Sequence, residues 1–327
     1  MIVFNEQNGS VLLVAEKVLT LFLIVFAGIY ARKRKILDDS STKKLSAFLL
    51  NVTQPLLILT SFQIDFDAEK LKSGVSIFIL SAVIHVFLAA SGFLLFKPVK
   101  NIEQRKVFEL STIFCNCAYL GYPVLKVIFG DDLGIFYGAF YSMFFNIFIW
   151  TYGIVLLSRE RTKDGEKVKL PISKIFINSG MIASVAGIIV FSLRLKMTPV
   201  LYESSKLIGD MTFPLAMVII GSLIADIKLR DLLSAFKSIK NYYYLAIKLI
   251  IMPVLIGTVC YLLKLPTLLI YIGALMAGMP SAANVAIFAE TYESDAKTGA
   301  INVGLSTMFS IVSVPLVIAV LNGILGI

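Results

Sequence analysis

Two stretches of this sequence set a glycine, a proline and an amide in the middle of a long apolar run. The first reads Phe114-Cys115-Asn116-Cys117-Ala118-Tyr119-Leu120-Gly121-Tyr122-Pro123, and the second Ala277-Gly278-Met279-Pro280-Ser281-Ala282-Ala283-Asn284. Proline has no N–H to give a helix, and its ring clashes with the carbonyl four residues back. Glycine lets the backbone unwind and approach a ligand. A half-helix restarting at Pro280 or near Pro123 begins with free N–H groups at its positive end, and such ends attract carboxylates. Asn116, Tyr119, Gly121 and Pro123 in one run, with Gly278, Pro280, Ser281 and Asn284 in the other, form the candidate substrate-binding set. Together they describe an anion site made of amides and helix ends, with no buried cation required. Plain proline kinks are the alternative, because Gly and Pro are common in membrane helices.

Other polar residues in apolar runs are read both ways. Asp210 lies four residues before Pro214, where the first half of the chain has Asn51 before Gln54 and Pro55. A carboxylate inside the membrane is costly and functional by default, so Asp210 either carries a coupling ion or sits in water at the outer end of its helix. Asn51 and Gln54 join it as coupling or electrostatic candidates. Lys248 is expected to snorkel to the interface, with substrate attraction as the alternative, and Lys126 is read in the same way. Asn146 serves either an interhelical hydrogen bond or the substrate. Glu109 is expected to be wet at the interface. His85, the sole histidine, is read as packed and hydrogen-bonded, with a proton relay as the alternative. Cys115 and Cys117 point to different faces if the segment is helical, which gives neither a disulfide nor a metal site.

The elements that must position these residues follow from composition. Of the 327 residues, 58% are hydrophobic and 16% charged. Soluble domains carry about 25% charged residues. A membrane span takes about 20 apolar residues plus a connection, so the length allows about ten. Apolar runs fall at about 11–31, 45–63, 73–96, 107–128, 134–157, 173–193, 203–225, 243–263, 267–289 and 298–325. Such runs exclude a β-barrel, whose strands alternate polar and apolar residues. The first run ends in Arg32-Lys33-Arg34-Lys35 and is too long for a signal peptide.

The net charge of +9 is a topology signal. The connections near 32–44, 97–106, 158–174, 227–240 and 290–297 hold 21 of the 30 Lys and Arg residues. The positive-inside rule puts them in the cytoplasm and both termini outside. The expected location is the cell membrane, and the basic balance is no nucleic-acid footprint.

The polar segment 158–172 divides the chain into a first five-helix repeat, 1–157, and a second, 173–327. An odd number of spans inverts the second relative to the first. Landmarks recur in order: Gly28-Ile29 with Gly187-Ile188, Thr53-Gln54-Pro55-Leu56 with Thr212-Phe213-Pro214-Leu215, and Gly121-Tyr122-Pro123 with Gly278-Met279-Pro280. Inverted repeats mark secondary transporters, whose sites lie at broken helices near the midplane. The expected fold is therefore all-α, with ten membrane helices in two inverted sets of five, and helices four and nine broken at prolines.

The stretch from Asn116 through Gly121-Tyr122-Pro123 to Leu125-Lys126 resembles the fourth span of the auxin efflux carrier (PIN-type) family. Pro280 with Val285, Phe288-Ala289 and Tyr292 is similar to its ninth span. Lys248 before Pro253 is similar to its eighth, and Pro214-Leu215 with Gly221 to its seventh. The resemblance covers essentially the whole chain. It implies that helices four and nine cross at their prolines, that a scaffold domain faces the crossover domain, and that organic carboxylate anions are transported. Dicarboxylates such as malonate or malate are implied for bacterial members. The short central loop departs from plant members and argues against auxin as the substrate. The resemblance also makes a homodimer one expected assembly.

The expected function is thus a secondary transporter of small organic carboxylates by alternating access, with the lipid bilayer and the anion as its partners. No phosphate loop, zinc motif, GxSxG elbow or dinucleotide fingerprint is found, so no cofactor is expected and transport is driven by a gradient or runs passively. A sodium-coupled symporter of the bile-acid type is the nearest alternative. A polytopic membrane enzyme would need a cluster of His, Asp or Glu at one depth, which the sequence does not supply.

Overall fold

The computed structural model of the chain describes residues 11–159, 177–227 and 229–326. Among these residues the regular structure is helical, apart from one isolated β-bridge. In chain order the helices are α1 (Val11–Lys33), α2 (Asp39–Phe48), α3 (Gln54–Ser61), α4 (Ala68–Leu95), α5 (Ile102–Ile113), α6 (Tyr122–Phe129), α7 (Asp131–Phe148) and α8 (Ile154–Leu157). They continue as α9 (Ser179–Ser192), α10 (Pro199–Asp210), α11 (Thr212–Ala225), α12 (Leu229–Phe236), α13 (Ile239–Ala246), α14 (Met252–Leu262), α15 (Thr267–Gly278), α16 (Asn284–Thr291) and α17 (Ala296–Leu325). Beyond Arg159, the expected linker 158–172 lies outside the described residues.

Six helical stretches among the described residues are long and apolar enough to cross a membrane: Val11–Lys33, Ala68–Leu95, Asp132–Leu157, Pro199–Ala225, Ile239–Leu262 and Ala296–Leu325. Local chemistry sets the starts of α2, α5, α9 and α17. Asp38, Asn101, Asn178 and Asp295 each accept a hydrogen bond from the N–H three residues on, which satisfies an otherwise orphaned donor of the first turn.

Three prolines share one local form. Wide π-turns at Leu49–Thr53, Cys117–Gly121 and Ile247–Ile251 each end two residues before Pro55, Pro123 and Pro253. A wider turn moves the carbonyl that the proline ring would strike, so the helix continues through the proline.

The chain forms two compact units, and each draws segments from both halves of the sequence. The first comprises Met1–Phe78, Ala118–Met143 and Ile177–Asp226. Within it, α1 lies directly on α11: a Cβ on Gly28 would stand 2.2 Å from the carbonyl oxygen of Val218, and one on Gly221 would stand 2.1 Å from that of Val25. Small residues at crossings let membrane helices approach closely. In the same unit Thr212 Oγ1 donates to Thr53 Oγ1 at 2.9 Å. Arg32 joins Asp39 and Asp226, tying the ends of α1, α2 and α11.

The second unit comprises Ile79–Cys117, Phe144–Phe176 and Ile227–Ile327. Its core includes the aromatic stack of Phe96 on Phe108, the close packing of Gly257 against Leu321, and the long helix α17. The face that α17 buries carries Asn302, Ser306, Thr307, Ser310 and Ser313. In a helix that long and apolar, such a polar stripe must find partners inside the protein.

Candidate functional site

The two helix interruptions meet in the second unit. The helix α5 ends at Ile113, and Phe114 is extended at φ −98° and ψ 106°. The helix α15 ends at Gly278, and Met279 is extended at φ −63° and ψ 149°. Cys115 and Ser281 then pair as an antiparallel bridge. The Asn116 N–H donates to the Pro280 carbonyl at 2.7 Å, and the Ala282 N–H donates to the Phe114 carbonyl at 3.0 Å. Each interruption thus satisfies backbone groups that the other leaves open, a necessity for non-helical chain in an apolar surround.

The second interruption falls at Pro280 as expected, but the first is displaced. It lies at residues 114–116, not at Gly121 or Pro123. Pro123 sits in the first turn of α6, where its missing N–H is no loss. The sequence expectation of two breaks at equivalent prolines is therefore corrected for the first run.

Hydroxyls surround the bridge. Ser281 Oγ donates to the Ser111 carbonyl at 2.6 Å, and Tyr244 OH is hydrogen-bonded to Ser281 Oγ. The Ser281 N–H donates to Ser306 Oγ at 3.0 Å, and Asn302 Nδ2 donates to Ser111 Oγ at 2.9 Å. Asn302 Oδ1 and Thr307 Oγ1 are buried without a hydrogen-bond partner. Asn284 opens α16 and is half-buried, while Asn116 is buried.

Lys248 overturns the snorkelling expectation. Its side chain is fully buried, and Nζ donates to the carbonyls of Thr112 at 2.9 Å and Ala277 at 3.1 Å. Both carbonyls lie at the ends of helices that stop at the interruptions. Their usual helical donors are gone, and the amine replaces them.

Two more expectations change. Glu109 is buried, not wet, with Arg159 at 2.9 Å and Arg105 at 3.4 Å from its carboxylate. The Cys115 and Cys117 sulfurs lie 3.1 Å apart, because the extended backbone at Cys115 removes the helical spacing that would have separated them. His85 is buried as expected; its Nδ1 bonds the Ser81 carbonyl at 2.7 Å amid Phe114, Phe144, Phe145 and Phe148.

The structure therefore assembles Asn116, Gly278, Pro280, Ser281 and Lys248 around one bridge. Asn146 belongs to the same unit, near the end of α7. Tyr119, Gly121, Pro123, Asn51, Gln54 and Asp210 belong to the first unit. There Asn51 is exposed and its Nδ2 donates to the Ala47 carbonyl of its own helix at 2.8 Å. Gln54 buries an Oε1 that has no hydrogen-bond partner. Asp210, part-exposed, lies 3.7 Å from Lys126 Nζ. Sequence reading missed Tyr244, Ser111, Ser306 and Asn302. The serines of α17 were the available signal, since polar residues on one face of an apolar helix seek internal partners.

A family model described as "Membrane transport protein" matches residues 13–318. An uncharacterized transporter of Methanothermobacter thermautotrophicus is 25% identical over 306 residues, covering 92% of this chain and 96% of its own. An uncharacterized transporter of Methanocaldococcus jannaschii is 22% identical over 317 residues, with 92% and 96% covered.

Proposed function

Because this chain belongs to the membrane transport protein family of auxin efflux carrier-like proteins, we propose that it is a secondary transporter of small organic carboxylate anions that works by alternating access. The observation that carries the reading is the pairing of the two helix interruptions through Cys115 and Ser281. Non-helical backbone inside a membrane protein belongs where it is buried in protein or lines a cavity. The start of α16 at Asn284 and the amide of Asn116 supply uncharged donors of the kind that hold a carboxylate. In this reading Pro280 and Gly278 keep the backbone open, and Ser281 anchors it through Tyr244 and Ser111.

The ten-span reading belongs to the same proposal. Its two inverted repeats run over 1–157 and 173–327, with both termini outside the cell membrane. The contact of Thr53 with Thr212, matched landmarks of the two halves, supports it. The scaffold and crossover roles, and a homodimer, are carried as parts of the proposal. The chemistry is transport rather than catalysis.

A thermal-shift panel of C2–C6 mono- and dicarboxylates on the full chain tests the substrate class, because a ligand that binds the native state raises Tm by mass action. The panel is run at two pH values, with and without sodium. One carboxylate should stabilise the wild type, and the dependence on proton or sodium identifies the coupling ion. No shift from any carboxylate would sink the anion assignment.

A further inference from the structure

The first unit contains a second feature that the transport reading does not use. A cavity of about 400 Å³ is bounded by α1, α6 and α11. Its walls are mainly apolar, with Leu13, Leu21, Pro123, Val127 and Phe213, and two cations reach it, Lys17 and Lys126. A narrow cavity of about 10 Å³ shares Lys17, Leu21, Pro123 and Val127 and is otherwise lined by valines. Ligand sites are typically clefts of about 300–1,000 Å³, apolar with a few placed polar groups, so this volume suits a short acyl chain with its head group rather than a whole phospholipid.

The charges define the head group. Asp210 stands 3.7 Å from Lys126 Nζ and offsets one of the two cations. Asp132 is matched by Lys206 at 3.4 Å, and Glu16 does not line the cavity. Among the described residues, Lys17 is the cation at this cavity with no carboxylate against it. Lys126 also lies 5.9 Å from the Phe213 ring centre, which holds its ammonium over an apolar wall.

We infer that this cavity is a binding site for an amphipathic monoanion, a straight-chain carboxylate whose head lies between Lys17 and Lys126 and whose chain lies along Leu21, Val127 and Phe213. The site is separate from the interruptions at Cys115 and Ser281, and it stands whether or not the chain transports small carboxylates.

Calorimetric titration of decanoate into the full chain in phosphatidylcholine nanodiscs tests it, with empty nanodiscs subtracted and 1-decanol as the neutral match. Decanoate should bind at one site and decanol at least about tenfold more weakly, since the charge-assisted contacts are lost. Lys17→Gln with Lys126→Gln should weaken decanoate by about tenfold or more while leaving Tm unchanged. Asn116→Ala should leave decanoate binding intact. If phosphatidylglycerol in the nanodisc displaces decanoate, the same anionic-head chemistry is met by a lipid whose chains lie mostly outside the cavity, and the site stands. Equal binding of decanoate and decanol would overturn the inference. So would wild-type binding by the double variant, or loss of binding in Asn116→Ala.

Discussion

Thr212 Oγ1 donates to Thr53 Oγ1 across 2.9 Å, joining residues 159 positions apart in the sequence. Thr53 closes the π-turn before Pro55, and Thr212 opens α11 two residues before Pro214. The same sequence pattern thus meets itself inside one unit. Thr53→Val and Thr212→Val should each cost about 1 kcal/mol, and the double variant should cost much less than the sum, because both changes remove one buried hydrogen bond. A double-mutant cycle from chemical unfolding measures the coupling, and strict additivity would count against the contact.

The glycines at the α1–α11 crossing should be intolerant. Gly28→Ala or Gly221→Ala puts a Cβ about 2 Å from a backbone oxygen. The backbones must separate, at a cost of about 1–3 kcal/mol. Gly323→Ala, with nothing within 4 Å of the added carbon, should be silent. Melting temperatures of the three variants in one detergent compare them directly.

Lys248 acts first as a structural donor. Lys248→Met keeps the length of the side chain but leaves the Thr112 and Ala277 carbonyls buried without a partner. The loss should be about 2 kcal/mol or more. A Tm equal to that of the wild type would show that the amine is not holding the helix ends.

At the surface, Lys196 donates to Asp65 at 3.0 Å and holds that carboxyl below its ordinary value near 3.8. A group with a depressed folded pKa contributes stability that is present above the unfolded value and lost as pH falls through the folded one. Between pH 4 and 2 the wild type should therefore lose more Tm than Asp65→Asn does. The difference should be small for so exposed a pair, and it should shrink in high salt. Parallel acid limbs for the two proteins would refute it.

The sequence revealed much of this because much of it is local. Helix lengths follow from apolar runs, and the break at residues 279–283 coincides with Gly278 and Pro280. The break at residues 114–116 carries no local mark, since Cys115 and Asn116 are not helix breakers. It exists because Pro280 and Phe114 offer carbonyls to chain segments distant in sequence. Pro123, the conspicuous residue nearby, is absorbed into the start of a helix. Lys248 departs from the snorkelling expectation for a related reason: hydropathy measures how apolar a helix is, not which face meets lipid and which meets protein. Cys115 and Cys117 share a face because Cys115 is extended where helical spacing would separate them, and the two form no disulfide. The network of Ser111, Tyr244, Ser281, Ser306 and Asn302 joins α5, α13 and α17, which no single-segment pattern could link.

In the proposed transport cycle an anion is held at the paired interruptions. Uptake of radiolabelled carboxylates into proteoliposomes preloaded with the same unlabelled anion tests it most directly. The wild-type chain should exchange at least one small carboxylate. The rate should be lower by about tenfold or more in Asn116→Ala and in Asn284→Ala, since a hydrogen bond to a charged group is lost, with both variants reconstituting at wild-type levels. Exchange at the wild-type rate in both variants, or no exchange of any carboxylate by the wild type, would contradict it.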